Sequence, residues 1–557
     1  MTMRAMSRVR TFNYRRLALG AALLSTVMAC KTPESSTAQN TSTTVSSAAP
    51  GSPCWRYPNA STVLEPVALY SKSGVLKADL AYQSSTGPEG IRYCYTLADG
   101  SLSPTLHVNP GDHLIINLTN KTQAALSKDD MNMQIPASQV CGAAVMKSGA
   151  VNLHFHGTNV APTCHQDEVI YTSINPGESF TYDIAIPNDE PPGLYWYHPH
   201  IHGTAEAAVL GGASGALIVD GLQDVQPSVA NLPARTLIVR DQLLPGKPEE
   251  SDSLPAWDLS LNYVQVPYPH YPPALIPMQP NQLELWRVLN ASANTMLNLK
   301  LLYDGVEQSL RIVGLDGVAT GSQEAQRQGI VITKTNILLA PASRAEFIVR
   351  APDKSVVNPV LWTRKYDTGP NGDHDVERPL ARITTTATAQ QPVKMPAAKT
   401  STAADRFKNI ELPKRTTSRK LYFSQKEAET LDGDATFYIT VEGQSPKLFR
   451  MGQEPSITLK TGAVEEWLVE NRAPEAHVFH IHQIHFLLVE QNGVRVSGDE
   501  RQFLDTVTLP YWKGTGPYPS VKLLVDFRHV VPGDFVYHCH ILNHEDQGMM
   551  AVIRVTP

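Results

Sequence analysis

The stretch Val536-Tyr537-His538-Cys539-His540-Ile541-Leu542-Asn543-His544-Glu545-Asp546-Gln547-Gly548-Met549 constrains this chain more than any other. It places a thiol between two imidazoles, with a further imidazole at His544 and a thioether at Met549. Side chains alternate faces along a strand, so Cys539 points one way while His538 and His540 point the other. One metal centre can therefore sit on each face of a single strand. Cys539, His544 and Met549 offer soft sulfur and borderline nitrogen, the donors of a trigonal His₂Cys copper site with a weak axial thioether. The plainer alternative is a buried Cys in a His-rich segment, and partner motifs elsewhere in the chain argue against it.

Those partners are His154-Phe155-His156-Gly157, His198-Pro199-His200 and His477-Val478-Phe479-His480-Ile481-His482. Four His-x-His pairs supply eight imidazoles, enough for a three-copper cluster, and His477, Cys539 and His544 are left for a fourth ion. With all four motifs in this order, the chain resembles a three-domain multicopper oxidase of the laccase-like bacterial type, from about residue 55 onward. The resemblance implies an all-β fold of three cupredoxin-like Greek-key β-sandwich domains. It also implies four copper ions: type 1 on His477, Cys539 and His544 with Met549 axial; type 2 on His154 and His480; the type 3 pair on His156, His198, His200, His482, His538 and His540. Electrons would enter at the type 1 ion, pass through Cys539 to its histidine neighbours, and reduce dioxygen to water. Glu545 matches an acidic residue that relays protons in part of the family, and Asp167 resembles the acidic residue on the water channel. A thioether at Met549 implies a low to moderate potential.

The start of the chain carries Arg4, Arg8, Arg10, Arg15 and Arg16 ahead of Leu17-Ala18-Leu19-Gly20-Ala21-Ala22-Leu23-Leu24. A basic segment followed by a short apolar run reads as an export signal. Val27-Met28-Ala29-Cys30 resembles a bacterial lipobox, so residues 1–30 are expected to be a lipoprotein-type signal ending at Cys30. The Ser/Thr-rich residues 31–52 are expected to form a flexible tether. Arg15-Arg16 leaves general and twin-arginine export both open. Removing residues 1–29 takes away five positive charges and moves the formal charge from −6 to −11. Such a body is not a general nucleic-acid binder. The expected location is the periplasm or the outer-membrane or cell surface, as a lipid-anchored monomer. Apart from Cys30 and Cys539, four cysteines remain, an even number in an exported chain that favours two disulfides. Three pairings are possible. Cys54–Cys94 and Cys141–Cys164 are favoured because each closes a local loop.

The body reads as short strands between Gly/Pro/Asn turns. Pro110–Leu118, Asn281–Asn290 and Thr461–Asn471 echo one another, each a polar turn followed by a strand. A second echo aligns Gly193–Ile201 with Gly533–Ile541 and puts Pro199 where Cys539 stands. Superposing Trp286 on Trp467 places Met296, Leu299 and Leu301 where the last repeat has His477, His480 and His482, so the middle repeat carries no ligands. Domain boundaries are set at 53–222, 228–385 and 405–557, with Thr384 to Asp405 as a linker. All ligands then come from the first and third domains, and the cluster belongs at their interface.

Other histidines carry no such pattern. His202 and His485 extend two of the motifs but fall outside the family set, and are read as supporting or surface residues. His113, His165, His270 and His529 have no motif. Tyr263, Pro267, Tyr268, Pro269, His270 and Tyr271 form a loop that could shape a cleft. The expected donors are phenols or aromatic amines resting against an exposed edge of His544. The alternative is oxidation of cuprous or other metal ions, for which, outside the signal, only Met131–Met133 and Met549–Met550 pair thioethers. An electron carrier without turnover would need the Cys539 site alone.

Overall fold

A computed structural model describes residues 52–123, 133–244, 254–322, 329–390, 392, 394–396, 406–410, 417–427, 435–496 and 498–557. The export signal, Cys30, nearly all of the expected tether, and Met131 lie outside these residues. Among the described residues no helix is long and apolar enough to cross a membrane.

Apolar residues at alternate positions produce strands with one buried face, and these pair into three two-sheet sandwiches. Each sandwich has its own core. In the first, Leu114, Ile116 and Leu118 are buried and alternate with exposed or half-buried partners along His113–Asn120. Trp286 and Trp467 occupy the cores of the second and third sandwiches.

The three echoing stretches take equivalent places. His113–Asn120 pairs in parallel with Val75–Gly87 and antiparallel with Ser179–Ala185. Leu283–Asn290 does the same with Ala234–Gln242 and Arg344–Arg350, and Val464–Asn471 with Thr417–Lys426 and Ser520–Asp526. The all-β, three-sandwich reading therefore holds. In the middle unit Leu299 and Leu301 are buried in its own core, and Met296 is buried against the core of the third.

The segment after Cys54, expected within the first domain, reaches across to the second. Tyr57 and Thr62 bridge to Val264 and Leu275, and Val63 is buried in the second core. Burial of an apolar side chain there outweighs chain proximity. Both favoured disulfides are present, Cys54–Cys94 and Cys141–Cys164. In the expected linker, Lys394 bridges to Pro233, and the Pro396 carbonyl accepts from Gln223, so this part lies against the second unit.

Candidate metal centres

Register places the ligands. In the first sandwich His154–His156 pairs antiparallel with Gly193–His198, setting His198 opposite His154. In the third, His477–Ile481 pairs antiparallel with Gly533–Cys539, setting His538 opposite His480 and Phe479 opposite Cys539. A slip of one residue would exchange the faces and scatter both sets.

On one face of Gly533–Cys539, His477, Cys539 and His544 converge. The Cys539 sulfur lies 3.6 Å from His477 Nδ1 and 3.7 Å from His544 Nδ1, and the two nitrogens are 3.0 Å apart. The short helix Leu542–Asp546 follows, and Gly548, with φ of +111°, turns the chain back. Met549 is thereby buried in the same core cluster as Cys539, and its carbonyl accepts from the Cys539 amide at 3.1 Å. The Cys539 sulfur also accepts from the Val478 amide at 3.3 Å.

The expected exposed edge of His544 is absent. This residue is only 5% exposed: Phe437 stacks on the ring at 4.2 Å, and Glu475 Oε2 lies 3.3 Å from Nε2. Burial disfavours charge on His544, but Glu475 and Cys539 outweigh it and hold the pKa up at about 10. Metal binding must release that proton.

On the other face, His538 and its neighbour His540 meet the histidines of the first sandwich. The Nε2 atoms of His200, His482 and His538 lie 3.1–3.3 Å from one another, a ready triangle for one ion. The His540 ring is 4.8 Å from that of His156 and 5.5 Å from that of His198. His154 and His480 complete the group, with ring centroids 6.3 Å apart. The structure thus brings together all eight imidazoles of the His-x-His pairs.

These sites fit metal on their own evidence. His154 Nε2, His156 Nδ1, His198 Nε2, His480 Nε2 and both nitrogens of His540 are buried without hydrogen-bond partners. Orphaned buried nitrogens are costly unless something coordinates them. Burial holds His198 near 3 and His200 near 4, and pushes His154, His156, His480, His482 and His540 well below the usual value. Neutral imidazole is the form that ligates.

In His154, His198 and His480 the opposite nitrogen is anchored, on Asp167, the Pro199 carbonyl and the Asp505 carbonyl, which sets the nitrogen left free to ligate. Asp167 takes His154 Nδ1 at 2.9 Å, the Phe155 amide at 2.9 Å and the Gln483 amide at 3.1 Å. It is fully buried, and burial pushes its carboxyl up. Asp167 is therefore a buried hydrogen-bond partner of His154 rather than a solvated loop carboxylate. Glu545 Oε2 lies 2.9 Å from His538 Nδ1 and Oε1 lies 3.7 Å from His200 Nδ1. Although burial opposes its charge, the His538 and His200 rings hold its pKa below the usual range.

Three residues at the sites carry no sequence motif: Glu475, Asp505 and Arg344. The Asp505 carboxylate is 3.4 Å from His156 Nε2, and its backbone carbonyl accepts from His480 Nδ1 at 2.8 Å. Arg344, from the middle sandwich, grips that carboxylate through two hydrogen bonds of 2.6 and 2.7 Å, all of it buried. Gly157, with φ of +84°, leaves the space this pair occupies; a Cβ there would collide with both. His485 is buried, its Nε2 donating to the Asp316 carbonyl at 2.8 Å, which makes it a supporting residue. His113, by contrast, is exposed and pairs with Asp183.

Three cupredoxin-like sandwiches holding a His₂Cys site and an eight-histidine cluster define a copper-dependent oxidoreductase. Two models of the family described as "Multicopper oxidase" match residues 146–224 and 420–557. Family models, curated relatives and solved structures together support the multicopper oxidase family for this chain. It is 23% identical over 466 residues to "Multicopper oxidase mco" of Staphylococcus haemolyticus, covering 82% of each. It is also 23% identical over 496 residues to "Iron transport multicopper oxidase FET3" of Gibberella zeae, covering 82% of this chain and 71% of that protein. Among solved structures, a Campylobacter jejuni multicopper oxidase, described as a metallo-oxidase, shares the fold with a TM-score of 0.64 at 23% identity, covering 90% and 96% of the two chains. McoA of Aquifex aeolicus gives 0.62 at 18% identity, covering 89% and 99%.

Proposed function

We propose that this protein couples one-electron oxidation of a phenol or aromatic amine to the four-electron reduction of dioxygen to water on four copper ions. The carrying observation is the strand Gly533–Cys539. Its Cys539 face completes one metal set and its His538 side the other, so a few covalent bonds join the two. Type 1 copper would be held by His477, Cys539 and His544 with Met549 beside them, type 2 by His154 and His480, and the type 3 pair by the remaining six imidazoles. Bound copper supplies the redox chemistry, accepting electrons singly and activating dioxygen.

This chain's residues set the rest. Asp167 and Asp505 hold imidazoles in the ligating orientation. Glu545, bridging towards His538 and His200, is placed to hand protons to the cluster side. Glu475 covers His544 at 3.3 Å from its Nε2, and its carboxylate suits donors that lose an O–H or N–H proton together with the electron. The same carboxylate favours a second reading, a cationic metal ion as donor. Steady-state oxygen uptake separates the two: kcat/KM should be higher for a methoxyphenol than for Cu(I) or Fe(II). A metal ion outrunning every phenol tested would move the assignment to metal oxidase.

The basic leader and Cys30 support export with a lipid anchor. Palmitate should label the wild type and not Cys30→Ala; unlabelled wild-type protein would remove the anchor.

A further inference from the structure

The motif His198-Pro199-His200 runs on to His202, which the copper set leaves unused. The His202 ring hydrogen-bonds the Glu545 backbone, while its Nδ1 is buried and makes no hydrogen bond. The ring stands edge-on to Phe449, with centroids 4.9 Å apart.

His202 lines a small cavity whose free space is about 10 Å³, room for one water-sized guest. Met146, Met451 and Met550 line it too, and His200 forms part of the wall. With only 13 methionines in 557 residues, chance would place fewer than one at such a cavity. A fourth thioether stands behind them: Met133 lies directly across from Met146 in the pairing of Met133–Gln134 with Val145–Met146. Directly opposed residues have Cβ atoms roughly 5 Å apart. Met451 packs against both the cluster that contains Met550 and the one that contains Met146. The four methionine side chains thus form one continuous packed group that runs from the half-buried Met133 and Met451 inward to Met550 and the wall at His200.

Thioether sulfur with imidazole nitrogen selects Cu(I), and its congener Ag(I), over Zn(II), Ca(II) or Mg(II). We infer that Met146, Met451, Met550 and His202 bind one Cu(I) ion beside the eight-histidine cluster, a fifth copper site that stages the metal next to His200. The four-copper reading gives this site its position but not its chemistry, and the site does not depend on which donor the oxidase uses.

The test uses protein loaded with four coppers and probes with Ag(I), which does not change oxidation state. After desalting, the wild type should retain one Ag(I) per chain, with sulfur neighbours in its X-ray absorption spectrum and the blue colour unchanged. The double variant Met146→Leu/Met451→Leu keeps volume and apolar character, a class of exchange that cores tolerate. It should keep its four coppers and bind Ag(I) at least about tenfold more weakly. Met133→Leu, on the outer side, should leave the stoichiometry unchanged. The site is overturned if the wild type retains no extra Ag(I), if the retained ion has no sulfur neighbour, or if the double variant binds as tightly as the wild type. Either of the first two results would leave the cavity to water or dioxygen.

Discussion

Cys539 is the one residue that the two centres share through the backbone, and removing its sulfur should separate them. Cys539→Ser is expected to lose the blue absorption and turnover, while the copper held by the eight histidines stays near the wild-type amount. Metal analysis with electron paramagnetic resonance checks this; a variant that keeps its blue colour would show that another residue supplies the sulfur. Asp167 acts differently, because it sets the orientation of His154 rather than binding metal. Loss of such a partner lowers metal affinity roughly 10–100-fold, so Asp167→Ala should lose type 2 copper first on dialysis against a chelator. Loss of type 1 copper instead would place Asp167 elsewhere in the chemistry. The histidines are legible in the sequence because strand alternation forces ligands into His-x-His spacing. Glu475, Asp505 and Arg344 are not, since Glu475 and Asp505 reach their histidines, and Arg344 reaches Asp505, through tertiary packing, and none lies in a repeating pattern. The burial of His544 escapes the sequence for the same reason: Phe437 and Glu475, which cover it, are remote from it along the chain.

Strand positions are easier to read than connections. The three turn-and-strand echoes predict equivalent strands, and all three share the same parallel and antiparallel neighbours. The crossing of Tyr57–Val63 to the second sandwich is not readable, because the segment has no apolar alternation and only Val63 of it is buried. Among the connections, the segment between Cys141 and Cys164 holds the ligands His154 and His156, so its disulfide closes a loop around part of the site. With a sequence separation of 23, loop-closure entropy assigns about 3 kcal/mol to this bridge. Replacing both cysteines by Ala should lower stability by that order and shift the thermal midpoint downward. An unchanged midpoint would mean that packing alone holds the loop.

At the scale of the whole molecule, the ligand-free middle sandwich still reaches the metal cluster through Arg344. Its guanidinium is the buried counter-charge of Asp505, which touches His156 and His480. Breaking a buried ion pair by removing one partner costs about 3–5 kcal/mol. Arg344→Met should therefore destabilise the protein by that amount and weaken type 2 and type 3 copper, with the blue site intact. Arg344→Met/Asp505→Asn removes both charges and should recover part of the stability. Failure to recover would show that the two side chains contribute independently.

The triangle of His200, His482 and His538 is drawn from positions as much as 338 residues apart. Synthesis runs from the N-terminus, so the first sandwich is complete long before its metal partners exist. A stalled or clipped chain that lacks this last stretch can bring together the histidines of the first sandwich but not the full group of eight, because the same stretch that closes it also supplies Cys539. The complete set of eight imidazoles thus arrives late in synthesis, with the same strand that completes the His477–Cys539–His544 set.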